Sequence, residues 1–285
     1  MLRELKEGEF DRYIDFAYEL ALDLTRSGYP TYTDGIKTRD DFIASARRSL
    51  ADECDSILLY ERGGKVCGWI QYFTEPEYKY MQTNGFNIES STREALYEFI
   101  AFARERFPGF SLHLGFPSEN TEAVSALDAL GFERIEESFN NALNYENYEL
   151  RPIDEHIVEI TRENYPLFAA LHTQDEDYMY WTAERILEKL DQWKIFAYIE
   201  DGKAVGAVYL RFFDDKVLSE IFGIDFEGGV YNGDLFRKLL ASALNWDKQH
   251  GTKHMVVFCE EQEQPDVLAA GFRLVDKYIC FKTEL

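Results

Sequence analysis

The chain has 285 residues, with 30 basic and 53 acidic side chains and a formal charge of −23. Its 46% apolar content is enough to fill real cores and excludes a globally disordered chain. The charge argues against a nucleic-acid scaffold and against docking on anionic membranes, since both need a basic surface. It is shared evenly, with 15 basic against 28 acidic residues in 1–150 and 15 against 25 in 151–285.

The predicted elements follow in chain order. A short strand at 3–5 leads into a helix over 9–24, where Phe10, Tyr13, Ile14, Ala17 and Leu20 recur at helical spacing. A second helix is expected over 38–50, opening on Arg39-Asp40-Asp41. Residues 57–73 read as a β-hairpin turning at Arg62-Gly63-Gly64. A strand at 78–84 and a helix over 91–106 come next, with Ser91 and Glu94 at capping-box spacing. A strand at 111–116, a helix at 121–130 and a strand region at 132–145 complete the first half. The second half gives a strand at 157–160, helices at 163–172 and 183–193, and a hairpin over 196–213. A strand at 217–224, a helix at 233–249, a strand at 255–259, a short helix at 265–269 and a strand at 272–282 follow. In each half the order is β-α-α-β-β-β-α-β-α-β. This is α+β, with a mostly antiparallel mixed sheet flanked by helices and one parallel crossover pair.

The two halves repeat each other. Gly64-Lys65…Gly68 in the first hairpin matches Gly202-Lys203…Gly206 in the second at an offset of 138. Gly131-Phe132 matches Gly271-Phe272 at an offset of 140. Two landmarks in one order at nearly one offset imply one fold used twice, in domains 1–147 and 148–285.

Other signals narrow the setting. The first ten residues are charged and lack a signal-peptide core, and no stretch approaches the ~20 apolar residues of a membrane span. Cys54, Cys67, Cys259 and Cys280 include no close pair, so neither a disulfide framework nor a zinc ribbon is expected, and a reducing, cytoplasmic setting is. His250 and His254 stand at i, i+4, but Gly251 ends the helix between them, so no metal site is expected.

This element order, with a helix, a Gly-Phe pair and a strand closing each half, resembles the GNAT superfamily of N-acyltransferases, twice over. The resemblance implies acetyl-CoA as acyl donor, entering where a pair of strands opens. Its pyrophosphate would be cradled by an R/Q-x-x-G-x-G/A turn at a helix N-terminus, where unpaired N–H groups and the dipole favour phosphate. The matching stretch of the second half holds Gly228, Gly229, Tyr231, Asn232, Gly233 and Asp234. It departs from the motif, since Tyr231 replaces the first glycine, Gly228 replaces the Arg/Gln, and Asp234 adds a negative charge. The stretch reads either as a cradle or as a plain glycine turn before a packing helix. The first half has no glycines at these positions, and Ser90, Ser91 and Thr92 read either as hydroxyl and backbone donors to phosphate or as an ordinary cap. It does keep the family's Asn120, to which the resemblance gives a part in cofactor binding, with Ala123 and Gly131-Phe132, whereas the second half has Glu260 where that Asn falls. The Tyr that returns a proton to the leaving thiolate is replaced by Leu127 and Val267.

Acyl transfer to an amine also needs a base and a donor for the developing oxyanion. By resemblance, the base is Glu220, on the strand before the glycine turn, and the oxyanion donor is a strand N–H opened by a bulge. Strand alternation allows the other reading of Glu220, an outward-facing residue. In 174–181 acids and aromatics mix. Asp175, Asp177, Tyr178 and Tyr180 would suit a cationic amine acceptor, or form a solvated acidic loop. The expectation is an acetyl-CoA-dependent N-acyltransferase acting on a small cationic amine, with no nucleic-acid or membrane partner and the second half active. The alternative is a catalytically silent tandem protein that binds acyl-CoA or a protein partner. The sequence leaves the oligomeric state open.

Overall fold

The computed structural model describes residues 1–172 and 180–285. They form two compact units. The first joins Met1–Glu137 to Asp276–Leu285, and the second is Ser138–Val275. The repeat places the boundary at 147/148, whereas compactness moves the last strand of each repeat out of its own half.

In the first unit, β1 (Leu2–Glu4), α1 (Phe10–Ala21) and α2 (Arg39–Ala51) precede a hairpin of β2 (Asp55–Arg62) and β3 (Lys65–Glu75). Then come β4 (Tyr80–Ile88), α3 (Thr92–Arg106), β5 (Ser111–Pro117), α4 (Thr121–Ala129) and the start of β6 (Glu133–Asn144). The sheet runs β1-β2-β3-β4-β5 and continues into β12 (Arg273–Glu284), whose Tyr278–Glu284 pairs antiparallel with β5. Only β4 and β5 are parallel, joined by the α3 crossover. Strand alternation sorts the side chains to the two faces. Ile57, Leu59 and Trp69 pack under α1 and α2, while Leu58, Tyr60, Ile70 and Tyr72 pack under α3 and α4. Ile279 and Phe281 of β12 belong to the second of these cores.

The second unit repeats the plan. Its elements are β7 (Ile157–Glu159), α5 (Tyr165–Leu171), α6 (Ala183–Glu188), β8 (Trp193–Glu200), β9 (Lys203–Phe212), β10 (Leu218–Phe226), α7 (Gly233–His250), β11 (His254–Cys259) and α8 (Gln264–Ala269). The sheet order is β7-β8-β9-β10-β11, closed by residues 139–144 of β6. Again one pair, β10 and β11, is parallel. Ile195, Ala197 and Tyr209 face α5 and α6, and Val208, Leu210 and Ile221 face α7.

Most elements lie where the sequence puts them, with three informative differences. The helix expected over 183–193 stops at Glu188, and a 3-10 turn (Leu190–Gln192) leads straight into β8. The strand expected at 78–84 is shifted to Tyr80–Ile88, because Pro76 opens a 3-10 turn at Pro76–Tyr78. Ser91 does not form the capping box its spacing suggests. It takes a left-handed φ of 66° and makes no side-chain cap, whereas Thr38 and Asp41 form a full box at the start of α2. Gly251 ends α7 in the left-handed conformation, as expected of a C-terminal glycine.

Cys54 is exposed and the other three cysteines are buried. Burial pushes the thiols of Cys259 and Cys280 up to about 12 and that of Cys67 above its ordinary value. One thiol per native chain should therefore react quickly with Ellman's reagent, and four in guanidinium. A second fast thiol in the native protein would contradict this burial.

Candidate functional site

The second unit opens where its parallel pair stops. β10 and β11 keep register from Leu218–His254 to Ile221–Val257, and the register ends there. At the same point β10 bulges against β9. Ile221 faces Leu210 and Gly223 faces Tyr209, with Phe222 the extra residue. A bulge reverses the facing of every later residue. Ile221 packs toward α7 and Phe222 toward α5 and α6. After the bulge Ile224 and Phe226 are back on the α7 side, and Asp225 reaches a residue at the end of α5.

Beyond the bulge lies a cavity of about 560 Å³. Its described lining comes from Leu167 and Ala170 of α5, Asp225 and Phe226 at the end of β10, the turn Glu227–Gly229, Tyr231, and Glu260 and Glu263 after β11. The ionisable lining is one-sided, with four carboxylates (Asp225, Glu227, Glu260, Glu263) against Lys203. Burial raises the pKa of Glu263, and the charge of Glu260 adds to the shift, although the Glu260 N–H donates to its Oε2 at 2.9 Å.

Behind this lining sits a buried ion pair. His172, at the C-terminal end of α5, has Nδ1 2.6 Å from Asp225 Oδ2 and Nε2 2.9 Å from the Trp181 carbonyl oxygen. With Asp225 ionised both partners are acceptors, an arrangement that suits a ring protonated at both nitrogens. Burial opposes that charge. The Asp225 carboxylate, aided by the Trp181 carbonyl, outweighs it and holds His172 above its ordinary pKa. The ring is clasped by Phe168, stacked at 4.9 Å, and Tyr209, edge-on at 4.9 Å.

The glycine turn lines the cavity and leads into α7. Gly228 and Gly229 both take φ +67°, a left-handed turn that non-glycine residues resist, and both line the cavity. Asn232 caps α7, its Oδ1 accepting from the N–H groups of Asp234 and Leu235. Asp266 of α8 stands beside the same terminus, where a Cβ on Gly233 would lie 3.1 Å from its Oδ2. Asp266 accepts from Tyr231 Oη at 2.5 Å and from Arg237 Nη1 at 3.0 Å. Burial works against its charge, but these two donors hold its carboxyl below the usual range. Asp234 pairs with Arg237 and Lys238. The terminus that the resemblance assigns to pyrophosphate is thus served by the chain's own oxygens, and its two cations are held by carboxylates.

Of the six residues of the expected cradle, Gly228, Gly229 and Tyr231 line this cavity, Asn232 and Asp234 line a second pocket that shares Phe226 and Glu227 with it, and Gly233 lines neither. Glu220 lies on β10 two residues before the bulge, outside the cavity lining, in register with Arg211 of β9 and Val256 of β11. Asn120 is in the first unit, where it caps α4 and its amide donates to the Ser27 carbonyl. Tyr180 also lies outside the lining. Its ring meets Trp181 edge-on at 4.9 Å and carries the Arg185 guanidinium at 4.7 Å. Asp175, Asp177 and Tyr178 lie outside the described residues. Among those residues no group of three or more His, Cys, Asp or Glu side chains could hold a metal, and no helix is long and apolar enough to cross a membrane. Sequence reasoning missed the pair of His172 and Asp225. Strand alternation sends Asp225 to the α7 face, and only the bulge turns it back.

No protein-family model matches the sequence, and no curated protein does. Solved structures do. A GCN5-related N-acetyltransferase from Sphaerobacter thermophilus is 11% identical with a TM-score of 0.67, the match covering 100% of this chain and 95% of that one. A tandem GNAT protein from the clavulanic acid biosynthesis pathway is 12% identical with a TM-score of 0.54, over 100% and 98%. A glucosamine N-acetyltransferase region of a fungal multi-domain β-N-acetylglucosaminidase is 11% identical with a TM-score of 0.61, over 99% of this chain and 38% of that one. The chain has the GNAT fold, in the two-domain form the repeat implied.

Proposed function

We propose that the protein is an acyl-CoA-dependent N-acyltransferase whose chemistry resides in its C-terminal unit and whose acceptor is a small cationic amine. The observation that carries this is the opening of β10 from β11 at a bulge into a cavity edged by Glu227, Glu260 and Glu263, besides the His172-paired Asp225. A bulge turns strand N–H groups away from the ladder, as a donor to a developing oxyanion requires. A carboxylate-rich wall favours an ammonium group and disfavours an anionic acceptor. Glu220, beside the bulge, is our candidate to take the proton that the ammonium must lose before attack. The acyl donor supplies the thioester. Gly228, Gly229 and the first turn of α7 are its binding rim, and Arg237 and Lys238 are the cations there that could meet phosphate.

One observation favours a second reading. With Asn232 in the cap position and Asp266 at the terminus, the rim offers phosphate few free donors. A protein that binds a cationic amine without acyl-CoA would look the same.

Two measurements separate these readings. Calorimetry with acetyl-CoA tests donor binding, and release of CoA thiol over a panel of polyamines, amino sugars and aminoacyl amines tests turnover. The acyltransferase reading expects both, with Glu220→Gln lowering kcat about 100-fold or more and leaving acetyl-CoA affinity unchanged. Amine binding without any acetyl-CoA binding would establish the second reading instead.

A further inference from the structure

The N-terminal unit has the same opening, and the chain fills it. β4 and β5 keep parallel register only from Tyr80–Ser111 to Gln82–His113, and β4 then bulges against β3 between Thr83 and Gly85. The link between α1 and α2 is residues 22–38, 17 residues long, against 11 for residues 172–182 between α5 and α6. Part of this longer link runs between the separated strands. The Ile88 N–H of β4 donates to the Arg26 carbonyl at 2.8 Å, and the Tyr29 N–H donates to the Gly115 carbonyl of β5 at 2.9 Å. Between these two bonds, Asn120 Nδ2 donates to the Ser27 carbonyl at 3.0 Å.

The fit is close. Ser27 and Gly28 are buried, and a Cβ on Gly28 would lie 2.8 Å from Phe86 Cβ and 3.2 Å from its backbone nitrogen. Only glycine lets this backbone lie on β4. The segment is also anchored beyond the cleft. The Tyr29 ring meets Tyr278 at 5.1 Å, and Thr31 Oγ1 donates to Asp276 Oδ2 at 3.3 Å. The α3 terminus is likewise engaged from within, since the Arg93 N–H donates to Glu122 Oε1 at 3.1 Å.

We infer that residues 26–29 are the resident ligand of the N-terminal opening, and that this unit takes no acyl-CoA. The segment makes an added-strand contact to both β4 and β5, so it occupies the hydrogen-bonding edge a linear ligand would use there. Asn120, which the family resemblance assigns to the cofactor, serves the chain's own backbone. The two copies of one fold are thereby divided, one sealed by its own link and the other lined by carboxylates.

The test is amide hydrogen exchange, read by NMR on the full chain with and without millimolar acetyl-CoA. The Ile88 and Tyr29 amides should exchange at least about 100-fold slower than free amides. Acetyl-CoA should leave their rates and the resonances of Phe86, Ile88 and Gly115 unchanged, whether or not the C-terminal unit responds. Gly28→Val, which forces a branched side chain onto Phe86, should speed both amides at least tenfold while amides of β10 and β11 keep their rates. Free exchange of Ile88 and Tyr29 in the unmodified protein, or acetyl-CoA shifts at Phe86, Ile88 or Gly115, would overturn the inference. Should Gly28→Val unfold the unit, the unmodified protein still decides the question.

Discussion

A chain ending at Val275 is expected to lose the folded structure of its N-terminal unit, although the deletion lies at the opposite end of the sequence. The last ten residues belong to that unit and supply the strand that pairs with β5 from Pro117–Tyr278 to Ser111–Glu284. They also supply Ile279 and Phe281, which are 4% and 0% exposed within its core. Removing a buried Ile or Phe side chain costs about 2–5 kcal/mol each. Two together approach the whole stability of a domain, about 5–15 kcal/mol. The deletion also bares β5 as an open edge, which invites association. Near-UV circular dichroism and limited proteolysis should show the N-terminal unit unfolded and cleaved while Ser138–Val275 persists. A truncated chain retaining the full near-UV signal and protease resistance would refute the assignment. By the same reasoning, a cut at 147/148 does not release an N-terminal fragment that folds on its own.

That example shows what the sequence discloses and what it withholds. The repeat was legible because Gly64-Lys65…Gly68 and Gly202-Lys203…Gly206 mark hairpin turns, which are local. The strand near 272–282 was legible too, by its residue types. Its partner was not, because pairing across more than 150 residues leaves no local periodic trace. The stretch from Gly228 to Asp234 was readable from glycine content and a helix start. Asp225 was hidden by a bulge that reverses strand facing, and the role of residues 26–29 was hidden because an irregular segment has no period to read. The elements are written locally, and the site is made by the places where regular pairing breaks.

The division between the units follows from the same breaks. Each parallel pair stops just before a bulge, so the fold offers an opening twice. The longer link after α1 reaches into the first opening. The second is edged by Asp225, Glu227, Glu260 and Glu263. An acidic chain of charge −23 has no general field to draw in a polyphosphate. Any acyl-CoA affinity would draw on local backbone donors and on nearby cations such as Lys203, Arg237 and Lys238, and it should weaken as salt screens them.

His172 should hold its proton to higher pH in the folded protein than in the unfolded chain, and the C-terminal unit should lose stability as pH rises because of it. In the unfolded chain this histidine gives up its proton near pH 6.5. Folded, it donates to Asp225 and to the Trp181 carbonyl, and its pKa is raised. Between the two values the folded unit binds a proton that the unfolded chain does not, so stability is greatest below about pH 6.5. It declines as pH climbs through the folded value. The groups facing the ring agree with this direction. Asp225 touches it, Glu184 adds a favourable field, and Tyr209 is held neutral with a pKa well above its ordinary value. His172→Leu leaves Asp225 buried without its cation and should cost about 3–5 kcal/mol, roughly 10 °C or more in the Tm of that unit. Adding Asp225→Leu to this variant should recover much of the loss, because an apolar pair carries no stranded charge. The decisive measurement is the imidazole nitrogen spectrum. Both His172 nitrogens should stay protonated to higher pH in the folded protein than in the unfolded chain, and a folded ring that loses its proton at or below the unfolded value would overturn this assignment.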